Sequence, residues 1–217
     1  MKKINTLAFV FIFSVFFSLK AMAIDAEWRA ASAVVDDTTQ RVIAMMEDRS
    51  LLLEENSARL NEKIETIVTP FIDFHGFGRG VMGRFARNAS DAELNRFADV
   101  LKGTLVRTYT MAVSQFTVRS YEIIPPRAPS PRPEMQIVNV QLTSTEGKTY
   151  NMLYYMRLVD NKWMLVNVAI EGINIRLTFQ NQFADMYQTS RSISAVIDNW
   201  EEQIASTVAG VVNDVDG

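Results

Sequence analysis

Apolar side chains follow two different periods along this chain, first helical and then extended. Over residues 25–46 they recur every three or four positions, which predicts an amphipathic helix. Residues 60–69 repeat that spacing, and Pro70 disfavours helical geometry at Thr69, so we expect the second helix to end or bend there. The glycine-rich residues 76–83 that follow are predicted to form a short helix and a turn.

The strongest local signal is a helix start at Ser90. The run Ser90-Asp-Ala-Glu93 has the form of a capping box, in which the two end residues satisfy each other's free backbone donors. Behind it a single apolar stripe predicts a long helix over residues 91–117. The stripe consists of Leu94, Phe97, Leu101, Leu105, Tyr109, Ala112 and Phe116.

Beyond this helix the period changes to that of strands. Four segments rich in β-branched and aromatic residues predict strands, at residues 120–124, 135–143, 149–159 and 162–170. Glu146-Gly147 and Asp160-Asn161 mark tight turns between the last three, which predicts an antiparallel meander. Residues 125–133 hold five of the six prolines, and proline cannot donate to a strand ladder, so we expect an exposed extended loop there.

Helical spacing returns near the end of the chain, at residues 176–187 and 193–208. The order of elements predicts an α+β fold, a curved antiparallel sheet of four to five strands wrapped by helices. The predicted strands are apolar on both faces, so both need an apolar neighbour. The pattern alone favours helices as that neighbour and leaves a hollow core open.

Residues 1–23 have the layout of a secretory signal peptide. Lys2 and Lys3 give a positive start, residues 7–19 form an apolar run, and Ala21-Met-Ala23 is a small-x-small cleavage site. The run is short of the roughly twenty residues needed to span a bilayer. We therefore expect export, cleavage after Ala23, and one mature domain of residues 24–217.

Composition narrows the classes of function. Removing residues 1–23 takes away three lysines and no acid, so the net charge falls from −3 to −6. An acidic domain is a poor candidate for nucleic-acid binding, which needs a clustered basic surface. The chain has no cysteine, which excludes a lipoprotein anchor and disulfides, so the fold must depend on hydrophobic burial.

The sequence offers little for catalysis or for a cofactor. Histidine titrates near neutrality, but the chain has only His75 and no Gly-x-Ser-x-Gly elbow. Gly76-Phe-Gly-Arg-Gly80 follows a helical segment and lacks the Lys-Ser/Thr pair of a phosphate loop. One histidine without cysteines predicts no metal site. We expect neither an enzyme nor a bound cofactor.

The densest apolar motif covers residues 70–85, which contain four phenylalanines and four glycines. Bulky rings supply an apolar wall, while glycines allow close approach of backbones. This motif, together with Trp163-Met-Leu-Val-Asn-Val-Ala-Ile-Glu-Gly-Ile-Asn174 and Phe179-Gln-Asn-Gln-Phe183, resembles the MlaC family. These are periplasmic phospholipid-binding proteins, also known as the toluene-tolerance auxiliary component. The resemblance extends from about Val34 to about Ile204.

The resemblance implies a hollow fold that encloses the acyl chains of a phospholipid as cargo. It further implies exchange of lipid with an outer-membrane lipoprotein–porin complex and with the MCE-domain subunit of an inner-membrane ABC transporter. Such a carrier would maintain outer-membrane lipid asymmetry. Two alternatives stay open on the residues alone: a small periplasmic α+β enzyme with an apolar pocket, and a lipid-free interaction module with a filled core.

We expect the cavity wall to come from apolar positions that the motif, the long helix and the meander can direct at a common centre. These are Phe71, Phe74, Phe77, Val81, Met82, Phe85, Leu101, Leu105, Tyr109, Met152, Tyr154, Met156, Val168 and Ile170. The headgroup should stay near water, because burying an unpaired phosphate is costly. Arg79 and Arg84 flank the aromatic cluster and are candidates for headgroup steering or for docking a partner.

Overall fold

Over the residues that the structure describes, the fold combines six α-helices with a five-stranded sheet. This computed structural model describes the backbone of residues 7–115 and 117–215, and side chains for 26–110, 113 and 117–204. The helices are α1 (Leu7–Glu47), α2 (Ser57–Val68), α3 (Phe74–Met82), α4 (Asp91–Gln115), α5 (Ile175–Ser190) and α6 (Ile193–Val215). The strands are β1 (Val118–Ile124), β2 (Met135–Ser144), β3 (Thr149–Val159), β4 (Lys162–Ile170) and β5 (Ile173–Asn174).

The predicted helices are confirmed, with shifted ends. The helix expected from residue 25 belongs to α1, which begins at Leu7 inside the predicted signal segment. The capping box is present, because the backbone N–H of Ser90 donates to Glu93 at 2.9 Å and that of Glu93 donates to Oγ of Ser90 at 3.3 Å. Two members of the predicted stripe, the side chain of Ala112 and residue Phe116, lie outside the described residues. In the part of the chain that is described, no helix is both long and apolar enough to cross a membrane.

The sheet is the predicted antiparallel meander, with strand order β1-β2-β3-β4-β5. Asp160 and Asn161 adopt φ values of 47° and 60°, the left-handed backbone that a tight two-residue turn requires. Sequence periodicity missed β5, because two residues are too few to show alternation. The α+β fold class is confirmed.

The first part of the dense motif joins the helices to the sheet. The backbone of residues 71–73 pairs with β4, where Leu165 donates to Phe71 at 2.8 Å and Asp73 donates to Leu165 at 3.0 Å. Asp73 then caps α3 by accepting from the N–H of Gly76 at 2.7 Å, and it pairs with Nη2 of Arg157 on β3 at 2.6 Å. These contacts fix the start of α3 against the sheet.

Buried apolar residues form three separate clusters. The helical cluster lies among α3 to α6 and contains Phe77, Val81, Met82, Leu94, Phe97, Leu101, Phe179, Phe183, Val196, Ile197, Trp200 and Ile204. The sheet cluster lies between α1 and the sheet and contains Ala31, Val35, Phe71, Val138, Val140, Met156, Trp163 and Leu165. The α2 cluster contains Val42, Met45, Leu51, Leu60, Ile64, Val68, Val106 and Val113.

Candidate functional site

One face of the sheet is buried against α1 on one side, and on the other side, which we call the open half, its side chains are only half-buried. Tyr154 on β3 pairs with Val138 on β2 and with Val168 on β4, and directly paired residues point to the same face. Val138 is fully buried in the sheet cluster, beneath Ala31 and Val35 of α1. Val168 is half-buried and packs against none of the three clusters that the described residues form.

The neighbouring row of paired residues also changes from buried to half-buried across the sheet. Val140 is buried in the sheet cluster and pairs with Met152, which pairs in turn with Ile170. Met152 packs against the edge of that cluster, whereas Ile170 is half-buried and outside every cluster of described residues. Leu142, two positions from Val140 on the same face, is also half-buried and outside them. The open half of this face is therefore apolar.

Tyr109 faces the open half from α4. Its side chain is 37% exposed, yet burial raises its pKa to about 12. A side chain can be partly exposed and still have a pKa raised by burial when it lies deep in the molecule and borders an open space. Burial also raises the pKa of Tyr154, and the charge of Tyr109 is the second cause, so Tyr109 lies within electrostatic range of this face of the sheet.

We call this space the cleft. Its wall comes from α4 and from the open half of the sheet: Tyr109, Leu142, Met152, Tyr154, Val168 and Ile170. The ring of Phe71, 6.2 Å from that of Tyr154, lies at the filled end. The hydroxyl of Tyr154 donates to Sδ of Met152 at 3.7 Å, so even this polar group is turned toward a side chain of the wall. A deep apolar wall of this kind suits alkyl chains.

The structure divides the predicted wall residues instead of directing them all at one centre. Five line the cleft: Tyr109, Met152, Tyr154, Val168 and Ile170. Six belong to the helical cluster or pack against it: Phe77, Val81, Met82, Leu101, Phe85 and Leu105. Phe71 and Met156 are buried in the sheet cluster, and Phe74 packs against the α2 cluster. The predicted wall residues therefore fall into separate packing groups, since helical spacing shows which face is apolar and not what covers it.

Sequence reasoning missed one wall residue, Leu142. It lies in the predicted strand 135–143, where alternation places it on the same face as Val138 and Val140. The alternation of the strand was therefore enough to predict on which face of the sheet Leu142 lies.

The two predicted arginines lie away from the cleft wall. Arg79 is exposed on α3, and Arg84 is exposed on the 3₁₀ turn Gly83–Arg87 that follows. The guanidinium of Arg84 lies 4.9 Å from the ring centroid of Phe85. Neither arginine has an ion-pair partner among the residues described. Arg87 is exposed on the same turn, so three arginines are exposed within residues 79–87.

The histidine considered for catalysis lies at the surface, away from the cleft wall. His75 is exposed in a surface depression of about 420 Å³, beside Asn95, Asp99 and Lys102 and outside the cleft wall. Within the described residues, no three His, Cys, Asp or Glu side chains are placed to hold a metal ion. The cleft wall carries the phenols of Tyr109 and Tyr154.

Comparisons with known proteins identify the family and the fold of this chain. The family model for the MlaC protein matches residues 36–202. A toluene tolerance protein, ttg2D, from Pseudomonas putida is 24% identical over 174 residues, which are 79% of this chain and 80% of that relative. The fold resembles that of the phospholipid-binding protein from Ralstonia solanacearum, solved in complex with a phospholipid, with a TM-score of 0.72. That match is 22% identical and covers 82% of this chain and 98% of the other.

Proposed function

Since this chain belongs to the MlaC family, we propose that it is a carrier that holds the acyl chains of a phospholipid in the cleft. The observation that carries this proposal is Tyr109, which is deep enough for burial to raise its pKa to about 12 and is still 37% exposed. An apolar space of that depth is costly to leave to water and is filled favourably by alkyl chains. The phospholipid bound to the relative from Ralstonia solanacearum supports the same class of cargo.

The energetic need for such a carrier follows from the lipid itself. Two long acyl chains contain about thirty methylenes, and each costs about 0.8 kcal/mol to expose to water. Free transit of a phospholipid through an aqueous compartment therefore costs on the order of 20 kcal/mol. A carrier lowers that cost by burial alone, without catalysis. The headgroup stays at the mouth of the cleft, because an unpaired phosphate is expensive to bury.

We place this transport in the periplasm, after cleavage of residues 1–23. The carrier would exchange lipid with the MCE-domain subunit of an inner-membrane ABC transporter and with an outer-membrane lipoprotein–porin complex, and so maintain outer-membrane lipid asymmetry. Family membership and the layout of the first residues support this assignment. N-terminal sequencing of the exported protein should begin at Ile24, whereas recovery of Met1 would contradict it.

We assign Arg79 and Arg84 to partner docking, because both are exposed and outside the cleft wall. Exposed charges act mainly on the rate of encounter and are screened by salt. Arg79→Ala and Arg84→Ala should load phospholipid normally but deliver it more slowly to the partner complexes at low salt. If both variants deliver lipid at the wild-type rate at low and at high salt, the two arginines have no docking role.

Extraction of the purified protein with organic solvent, followed by mass spectrometry, tests the cargo. We expect about one phospholipid per chain, and the same content in the His75→Ala variant. Free fatty acid that accumulates with time would instead favour the enzyme. Protein that folds fully but carries no lipid from cells or from vesicles would favour the lipid-free interaction module.

A further inference from the structure

A row of apolar side chains crosses the whole sheet and leads out of the cleft. The row is built from direct cross-strand pairs, and it runs through Ile123, Val140, Met152, Ile170 and Ile173. All five side chains point to the cleft face, because directly paired residues share a face. Burial falls along the row, from Val140 in the sheet cluster to Ile173, which is 38% exposed on the last strand.

The outer end of the row is held in place by a tight turn. Glu171 and Gly172 adopt φ values of 48° and 82°, as a two-residue hairpin turn requires. The N–H of Glu171 donates to the carbonyl of Asn151 at 2.9 Å, and the N–H of Asn151 donates to the Glu171 carboxylate. The turn between β4 and β5 is thus tied to the start of β3, so Ile173 has a fixed position beside Ile170.

A second large aliphatic side chain follows at this edge. Leu177, in the first turn of α5, is 50% exposed. We call Ile173 and Leu177 the lip. Single exposed aliphatic residues are ordinary on protein surfaces, but Ile173 continues an apolar row that begins in the core. Its place at the end of that row is what points to a function.

We propose that the lip is the portal through which the acyl chains of the cargo enter and leave the cleft. This inference rests on the proposed function and adds the route to it. Each methylene that is exposed to water during transfer raises the free-energy barrier to transfer. A path along Ile170 and Ile173 keeps methylenes against apolar surface until they reach the membrane or partner that receives them.

The test compares two aspartate substitutions on one sheet. Ile173→Asp places a charge in the portal. Ile137→Asp is the matched control, because Ile137 is an isoleucine of β2 that is 48% exposed and pairs with Tyr155 instead of a cleft residue. The probe is a phospholipid with a fluorescent acyl chain, in vesicles of phosphatidylethanolamine and phosphatidylglycerol. Uptake from these vesicles and release to empty ones are measured as rates, and bound lipid per chain is measured by extraction.

We expect Ile173→Asp to slow both uptake and release by about tenfold, which corresponds to about 1.4 kcal/mol in the barrier. Bound lipid per chain at equilibrium should stay at the wild-type value, and Ile137→Asp should transfer at the wild-type rate. Wild-type rates for Ile173→Asp, or equal slowing by both substitutions, would overturn the portal.

Two further readouts keep the outcome unambiguous. Circular dichroism checks folding, and if Ile173→Asp does not fold, the neutral Ile173→Asn carries the test with a smaller expected slowing. A wild-type protein without bound lipid would refute the carrier function itself. A loaded wild-type protein with an unaffected Ile173 variant would refute the portal alone.

Discussion

Two valines on either side of Tyr154 separate the filled half of the sheet from the open half. Val138 and Val168 both pair directly with Tyr154 and point to the same face. Val138 is fully buried beneath α1, and Val168 is half-buried at the cleft. Replacing each with tryptophan therefore adds the same atoms to the same sheet, once into packed protein and once into the space proposed for lipid.

Val168→Trp should weaken lipid binding, whereas Val138→Trp should lower the stability of the fold. A tryptophan at 168 that displaces about three methylenes of the cargo removes about 2.4 kcal/mol of burial, which weakens lipid affinity about 50-fold. A tryptophan at 138 overpacks a filled core and costs about 1–3 kcal/mol of stability. For a domain of this size that lowers Tm by roughly 2–12 °C.

Thermal unfolding and lipid titration of the two variants check this. Both are measured on protein stripped of lipid, because bound ligand raises Tm by itself. We expect Val168→Trp to lose lipid affinity with little change in Tm, and Val138→Trp to lose Tm. If Val168→Trp unfolds as early as Val138→Trp, or if it binds lipid as the wild type does, the space beside Val168 is not the acyl-chain site.

Three other substitutions test separate parts of the account. The folded protein retains the phenol proton of Tyr109, whose pKa is about 12, after the unfolded chain has lost it above pH 10. Stability should therefore fall as pH rises from 10 to 12, and it should fall less steeply in Tyr109→Phe. Urea unfolding across this range checks this, and an equal loss of stability in both proteins would contradict it. Leu101→Ala changes the fully buried helical cluster. It should lower the free energy of unfolding by about 2–5 kcal/mol and leave the lipid content unchanged. A loss of lipid at unchanged stability would instead show that Leu101 lines the cleft. Asp73→Ala removes the cap of α3 and the partner of Arg157. It should lower the free energy of unfolding by about 0.5–2 kcal/mol. A free energy of unfolding equal to that of the wild type would refute the anchoring role of Asp73.

Local chemistry made most of the fold predictable from the sequence. The capping box at Ser90 and the turn at Asp160-Asn161 each depend on a few adjacent residues, and both are present. The meander followed because short turns force consecutive strands to pair antiparallel. The strand β5 could not be predicted, since its two residues form a strand only through their pairing with Ala169 and Ile170.

The cleft itself could be predicted only in part. Leu101 and Tyr109 lie on the same apolar stripe of α4, but the first meets the helical cluster and the second meets open space. The two valines beside Tyr154 differ in the same way, because α1 covers Val138 and stops short of Val168. Periodicity reports that a face is apolar, whereas the neighbour that covers it is decided by tertiary packing.

Photo-crosslinking with a phospholipid that carries a diazirine in the middle of an acyl chain tests the central claim most directly. After loading and irradiation, mass spectrometry of the digested protein locates each adduct. The account predicts adducts on the cleft wall, at Tyr109, Met152, Tyr154 or Val168, at about one lipid per chain. Adducts confined to the helical cluster or to the surface depression around His75, in protein that has bound the lipid, would contradict it.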